Sequence, residues 1–106
     1  MPDIRIHRHH QLGFARAREL SRQWALEAAR MYDLTCAVDA GSAIDRVSFK
    51  RAGVAGQLVV SATHFELTAK LGLLLGALRR SIEAEIGKHL DALLARESRS
   101  QVAAEQ

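Results

Sequence analysis

Three histidines near the start of the chain have a spacing that could bind a metal ion. His7 and His9 lie two residues apart on an alternating segment, where they face the same side of a strand, and His10 follows directly. A metal site also needs a third or fourth ligand and groups that orient the ligands. No neighbouring residue in the sequence provides these. We therefore predict no metal and no cofactor, and interpret the histidines as a solvated cluster.

His89 lies on the apolar stripe of the last helix, between Ile86 and Leu93. An imidazole at such a position can act as an acid, a base or a ligand. Glu85 is one turn away and can satisfy it, so our first interpretation is a hydrogen-bonded packing residue. His89 stays a candidate ligand residue because a polar ring interrupts an otherwise apolar surface.

The sequence lacks the signatures of a nucleophilic enzyme. There is no Gly-x-Ser-x-Gly segment, and the serines have no histidine at a recognised spacing. Cys36 is the only cysteine, which excludes an internal disulfide, and it lies in an apolar strand where a thiol is usually inert. We predict no catalytic residues and expect that the protein is not an enzyme.

Basic side chains collect on the outward face of the predicted sheet. The candidate anion-facing surface consists of Arg5, Arg46, Lys50 and Lys70. No aromatic residue lies among them, whereas sheets that bind single-stranded nucleic acids stack the bases on aromatic rings. The net charge of +3 is the balance of 15 basic and 12 acidic residues. The basic residues are spread along the chain, so we do not expect a nucleic acid as partner.

A second candidate surface lies on the outer side of the last helix. Leu73, Gly76 and Ala77 lie away from the apolar stripe and close to Arg80. Apolar residues on an exposed helix face can contact a partner or an apolar interface. Together with His89, these four residues form the candidate partner or ligand surface.

Hydrophobic periodicity places these residues on two long helices and five strands. The first helix is predicted from Leu12 to Tyr32. Its inner stripe consists of Gly13, Ala17, Leu20, Trp24, Ala28 and Met31. The second helix begins directly after a strand that ends near Leu71 and continues for about 23 residues. Its apolar stripe lies at positions 71, 74, 75, 78, 82, 86, 90 and 93.

The order of these elements, β-α-β-β-β-β-α, predicts the fold class. Strands joined by short connections form an antiparallel meander. Each helix has a single apolar stripe, so both helices should pack on the same face of the sheet. We predict an α+β two-layer sandwich, with one domain at 1–97 and a flexible polar C-terminal tail at 98–106.

Length and composition indicate an ordinary globular domain. The chain has 106 residues, of which 48% are hydrophobic and 25% charged, enough for a single core. Its longest apolar run, Leu71 to Leu78, is too short to cross a bilayer, and the first residues do not form a signal peptide. We expect a cytoplasmic protein. An open sheet has exposed edges that can pair, so a homodimer is also expected as a candidate assembly.

Several segments of the chain are similar to one bacterial family. The segments are Leu12-Gly13, Phe49–Leu58, Lys70–Leu78, Ile82–Ile86 and Leu90-Asp91. Over residues 3–95 the chain resembles the small polyhydroxyalkanoic acid system proteins, encoded beside genes for storage polyester and its granules. The resemblance implies a role near these granules and transfers no catalytic residue.

Three functions are open at this point. The resemblance favours a non-enzymatic accessory or binding protein of polyhydroxyalkanoate metabolism, whose partner is a granule protein or the hydrophobic polyester surface. An alternative is a small enzyme or ligand carrier that acts on hydroxyacyl esters or thioesters in the cleft between helices and sheet. The other alternative, suggested by the net positive charge alone, is a basic regulator that binds nucleic acid.

Overall fold

The computed structural model describes the backbone of residues 3–105 and the side chains of residues 3–96. Within this part of the chain the predicted order of elements is confirmed, with one short helix added. The elements are β1 (Ile4–His9), α1 (Phe14–Tyr32), β2 (Thr35–Asp39), β3 (Asp45–Arg51), β4 (Val54–Val60), β5 (His64–Leu71), α2 (Leu73–Gly76) and α3 (Arg79–Glu105).

The five strands form one antiparallel sheet in the order β1-β5-β4-β3-β2. Strands β2 to β5 are a meander, and β1 pairs with β5, which places Ile6 opposite Leu67. Alternate residues point to opposite faces, so one face carries the apolar set and the other carries polar side chains. The α+β class, with helices packed against an antiparallel sheet, is confirmed.

A single core lies between the sheet and the two long helices. The sheet contributes Ile4, Ile6, Val47, Phe49, Leu58, Val60, Phe65, Leu67, Ala69 and Leu71 to it. On the helix side, Trp24 packs edge-on against Phe49, with ring centroids 5.6 Å apart. Leu90 and Leu93 of α3 are fully buried.

The inner stripe of α1 differs from the prediction at its end. Met31 is 57% exposed, whereas Ser21 and Ala25 are buried. The buried positions run through Ala17, Ser21, Ala25 and Ala28, and one turn after Ala28 this line reaches Tyr32 rather than Met31. The placement of Met31 in the core was therefore wrong.

The predicted continuous helix after β5 was also wrong, because it is broken. The Gly72 amide donates to the Gly53 carbonyl at 2.8 Å, which holds the end of β5 against the β3–β4 turn. One helical turn, α2, follows, and α3 begins only at Arg79. Glycine at position 76 lowers helix propensity where the break occurs. As a result Leu74 and Leu78, two predicted stripe residues, are 91% and 53% exposed.

Helix α3 continues as helical backbone to Glu105. The polar segment 98–106 was predicted as a flexible tail, but its side chains and the last residue lie outside the described part of the chain. The flexibility of this segment stays a prediction.

A buried carboxylate ties α1 to the connection before β3. Asp45 is fully buried, and the Arg18 guanidinium donates to both of its oxygens, at 2.8 and 3.0 Å. The Gly41 amide donates to it at 3.0 Å, and Arg18 also donates to the Gly41 carbonyl at 2.6 Å. Burial acts to raise the pKa of Asp45, but the hydrogen bonds from Arg18 and Gly41 outweigh burial and lower it. Asp45 is therefore a carboxylate at neutral pH.

Candidate ligand site

An apolar cavity of about 340 Å³ lies beneath the N-terminal half of α3. It is enclosed by the end of α1, by β3 and β4, and by α2 and α3. Its lining residues are Trp24, Tyr32, Leu34, Phe49, Arg51, Val54, Leu75, Leu78, Ser81, Ile82, Glu85, Ile86 and His89. A volume of this size lies at the lower end of the range for small-molecule sites.

The cavity exists because α3 approaches the sheet closely only further along its length. Leu90 and Leu93 are fully buried, whereas Ile82 and Ile86 are only partly buried against the same core. Gly87 allows a close approach to β1, since an added Cβ would lie 3.3 Å from Nη2 of Arg8. Gly87 is buried at this contact. The exposed lining residues mark the opening of the cavity at the start of α3.

Three residues of this lining have buried polar atoms without a hydrogen-bond partner. These atoms are Nε1 of Trp24, the hydroxyl oxygen of Tyr32 and Nδ1 of His89; the fourth such atom among the described side chains is Nε2 of His10, which lies outside this lining. Trp24 is only 2% exposed. A buried polar atom without a partner costs free energy, so three of them on residues of one lining make this cavity the candidate ligand site.

The His89 ring is held by a hydrogen bond to a side chain of α1. Its Nε2 lies 2.8 Å from Oε2 of Glu27, and Arg96 lies 3.5 Å from the other oxygen of Glu27. The helix spacing had indicated Glu85 as the partner of His89. The partner is Glu27 instead. The hydrogen bond from His89 is the main cause that lowers the pKa of Glu27, and the Arg96 charge adds to it. When Nε2–H donates to this carboxylate, Nδ1 of the neutral ring is left as an acceptor.

The Tyr32 hydroxyl is a neutral group at physiological pH. Burial raises the pKa of Tyr32, and the nearby Glu85 charge raises it further. Trp24 and Tyr32 therefore offer two hydrogen-bond donors and His89 offers an acceptor.

Cys36 is not part of this set. Its thiol lies 3.7 Å from the Ala25 carbonyl, and burial raises the pKa of the thiol, which makes it a poor nucleophile.

The structure groups four of the five residues of the candidate partner surface and separates the fifth. Leu73, Gly76, Ala77 and Arg80 are all exposed at the corner between α2 and α3. His89 lies in the cavity instead. Leu73 and Leu74 are 100% and 91% exposed, while the neighbouring Leu78 is both exposed and part of the cavity lining. The corner therefore adjoins the opening of the cavity, and we call Leu73, Leu74 and Leu78 the leucine corner.

The candidate anion-facing residues do not converge on one point. Arg5, Arg46, Lys50 and Lys70 are exposed but lie on three strands. Acidic residues are interspersed among them, since Asp39 pairs with Arg46 across β2 and β3, and Glu66 lies on β5. Arg5 and Arg80 line an open, mixed-charge groove along β1 and α3. The sheet face presents no single focus of positive charge.

Sequence reasoning missed the polar part of the cavity. Trp24 was assigned to the packing stripe, Tyr32 to its flank, and Glu27 was not considered. The signal that was available is His89 itself, a polar ring on an apolar stripe. Trp24 and Tyr32 come from α1, and they lie near His89 only because α1 packs against α3.

The fold and the cavity define a class of protein, a small α+β domain with an apolar, ligand-sized cavity under its last helix. The chain belongs to the family described as putative polyhydroxyalkanoic acid system protein, whose family model matches residues 4–94. The resemblance inferred from the sequence is confirmed, and the chain is associated with polyhydroxyalkanoate metabolism. No curated protein and no solved structure matches it. Across the residues that the structure describes, no helix is long and apolar enough to span a membrane.

Proposed function

We propose that the protein is a non-enzymatic accessory protein of polyhydroxyalkanoate metabolism that binds a hydroxyacyl chain in the cavity beneath α3. The observation that carries this proposal is the group of three partnerless polar atoms, on Trp24, Tyr32 and His89, around an apolar space. Membership in a polyhydroxyalkanoic acid system family supports this choice of ligand, since the units of such polyesters are hydroxy acids.

The chemistry of the cavity fits such a unit. A hydroxyacyl group has a carbonyl oxygen, which accepts hydrogen bonds, and a hydroxyl, which can donate one. Trp24 and Tyr32 can donate to the carbonyl, and Nδ1 of His89 can accept from the hydroxyl. The aliphatic tail would lie against side chains such as Ile82 and Ile86. At about 30 Å³ for each non-hydrogen atom, the value for liquid water, the cavity holds roughly eleven of them. A medium-chain 3-hydroxy acid has this size.

The leucine corner extends the same proposal to the granule. Leu73 and Leu74 are almost fully exposed beside the opening of the cavity, an arrangement that suits contact with an apolar polyester surface. Transfer of two leucine side chains from water to such a surface is worth about 3 kcal/mol or more, which is roughly a 100-fold change in partitioning. The cavity would then receive a chain end or a released monomer at the surface.

Binding in the cavity is tested with Trp24, the only tryptophan of the chain, as a fluorescent reporter. We expect 3-hydroxyoctanoate to change the Trp24 emission saturably, with higher affinity than octanoate, which lacks the hydroxyl. Ile86→Phe should fill the cavity and abolish the change. Ala92→Phe, on an exposed position of α3 outside the lining, should not. Equal affinity for both acids, or a full response in Ile86→Phe, would contradict the proposal.

Association with the polyester is tested by partitioning of the purified protein onto isolated granules. The double variant Leu73→Asp with Leu74→Asp should lower the bound fraction by roughly 100-fold, because charged side chains cannot enter an apolar surface. Leu26→Asp changes another exposed leucine, on α1, which is 76% exposed, and should leave the bound fraction unchanged. Equal losses in both variants would show a general hydrophobic effect and refute the role of the corner.

A second candidate function is hydrolysis of a hydroxyacyl ester or thioester. The Glu27–His89 pair favours it, since a carboxylate behind an imidazole is a common way to orient a general base. Against it, no serine or cysteine among the described residues lies within hydrogen-bond distance of Nδ1 of His89. An assay with hydroxyacyl thioesters separates the two. Turnover that His89→Gln abolishes would replace the binding function with an enzymatic one.

A further inference from the structure

A cluster of histidines lies on the face of the sheet opposite to the cavity. Strands β1 and β5 are antiparallel neighbours, and their register places His7 opposite Glu66 and His9 opposite His64. The metal-binding atoms of His7, His64 and Glu66 all lie within 4.8 Å of one another. The further ligand groups, His64 and Glu66, thus come from β5, which is distant from His7 in the sequence and adjacent to it in the sheet.

The His64 ring is oriented by its own turn. The Ser61 hydroxyl oxygen lies 3.0 Å from Nδ1 of His64, and the Thr63 hydroxyl oxygen lies 3.2 Å from it. The Ser61 hydroxyl donates to the His64 carbonyl at 3.2 Å, so in its contact with Nδ1 the Ser61 oxygen acts as an acceptor, from Nδ1–H. This arrangement leaves Nε2 of His64 with an available lone pair. Histidine ligands of metal ions are held in this way, through a hydrogen bond from the second ring nitrogen.

The rings are packed closely enough to share an ion. His7 and His64 are stacked with centroids 4.9 Å apart, and His9 meets His7 edge-on at 4.7 Å. Two imidazole nitrogens and one carboxylate oxygen are the donor set that zinc and related divalent transition metals prefer, whereas magnesium and calcium prefer oxygen alone. Three protein ligands also leave a position open for water.

We propose that His7, His64 and Glu66 bind one divalent ion of the zinc class on the outer face of the sheet. The ion would link the edge strand β1 to β5, next to the turn at Ser61. This site does not depend on the proposed function, because the sheet separates it from the cavity and none of its ligands lines the cavity.

The experiment is a calorimetric titration of the full-length, untagged protein with ZnCl₂. We expect one ion per chain for the native protein and a rise in melting temperature on saturation, because the ion binds only the folded pairing of β1 and β5. His64→Ala should weaken binding by roughly 100-fold or more, since loss of even a group that orients a ligand costs about 10- to 100-fold. Ser61→Ala should weaken it by about 10-fold. Magnesium should not bind.

Two controls keep the test decisive. His89→Gln removes a histidine on the other side of the sheet and should bind zinc like the native protein. Glu66→Gln keeps the size of the side chain and removes the ligand charge, so it serves if His64→Ala does not fold. In the native protein Co²⁺ should give the intense visible absorption of a four- or five-coordinate site, and neither ligand variant should show it. Unchanged zinc affinity in Glu66→Gln, or no binding by the native protein at micromolar zinc, would overturn the proposal.

Discussion

The substitution Tyr32→Phe should make the protein more stable and a weaker binder at the same time. The Tyr32 hydroxyl is buried and has no hydrogen-bond partner among the described residues. A buried hydroxyl without a partner costs about 1–3 kcal/mol, and the lower value applies here because the side chain as a whole is only half-buried. Its removal should therefore raise the free energy of unfolding by about 1 kcal/mol, which is roughly 4 °C or more in melting temperature.

The same change should weaken the binding of the hydroxyacyl ligand. A hydrogen bond that Tyr32 makes to the ligand is worth about 1 kcal/mol, so the dissociation constant should rise by roughly fivefold. Stability is measured by urea unfolding without ligand and with a chelator present, and affinity by the Trp24 emission. Both readouts come from one variant that retains the aromatic ring and the shape of the cavity.

Ser61→Ala is the matched control, because it deletes a hydroxyl that is hydrogen-bonded. The Ser61 oxygen accepts from the amides of Thr63 and His64, so its loss should lower the free energy of unfolding by about 1 kcal/mol. The two hydroxyl deletions should thus have opposite signs. If Tyr32→Phe is less stable than the native protein, the Tyr32 hydroxyl has a hydrogen-bond partner in the ligand-free protein. The argument for a ligand at this site would then fail.

Two further predictions concern the folded framework. Arg18→Met should lower the free energy of unfolding by about 3 kcal/mol at neutral pH, because it leaves the Asp45 carboxylate buried and unpaired. Asp45→Asn should lower it less, because Arg18 is partly exposed and can be hydrated. The pKa of Asp45 is lowered from an ordinary value of 3.8, so the ionised carboxylate stabilises the fold above pH 3.8, and this stabilisation is lost on further acidification. The loss of unfolding free energy in Arg18→Met, measured by urea unfolding, should therefore become smaller at acidic pH. Gly56→Ala should prevent folding, because its Cβ would collide with the Thr68 backbone carbonyl. Gly76→Ala meets open space and gains helix propensity, so it should not lower the melting temperature measured by circular dichroism.

The sequence predicted the sheet well because its signal is local. The alternation of apolar and polar residues in β3 and β5 predicts that Val47, Phe49, Phe65 and Leu67 face inward, and all four are buried. Helix α1 was equally clear, apart from Met31 and from Gly13, which is exposed and precedes the helix. These predictions succeed because a strand or helix repeats its pattern over consecutive residues, and no knowledge of its neighbours is needed.

The sites could not be predicted, because each joins elements that are distant in sequence. The pairing of His89 with Glu27 depends on how α3 crosses α1, and the grouping of His7 with Glu66 depends on the β1–β5 register. The break after Gly76 was missed because apolar periodicity continues through it. The expected homodimer stays a prediction, and light scattering of the purified protein measures it.

The pairing of β1 with β5 has a consequence for how the chain folds. Ile6 and Leu67 are partners although they are about 60 residues apart, and folding slows as such long-range pairings increase. The meander from β2 to β5 joins consecutive strands and can form early. During synthesis, β1 has no strand to pair with until β5 has left the ribosome, and its apolar side chains Ile4 and Ile6 stay exposed for that time. Charged and imidazole side chains alternate with Ile4 and Ile6 on β1, a pattern that opposes pairing of an unpaired strand with other chains.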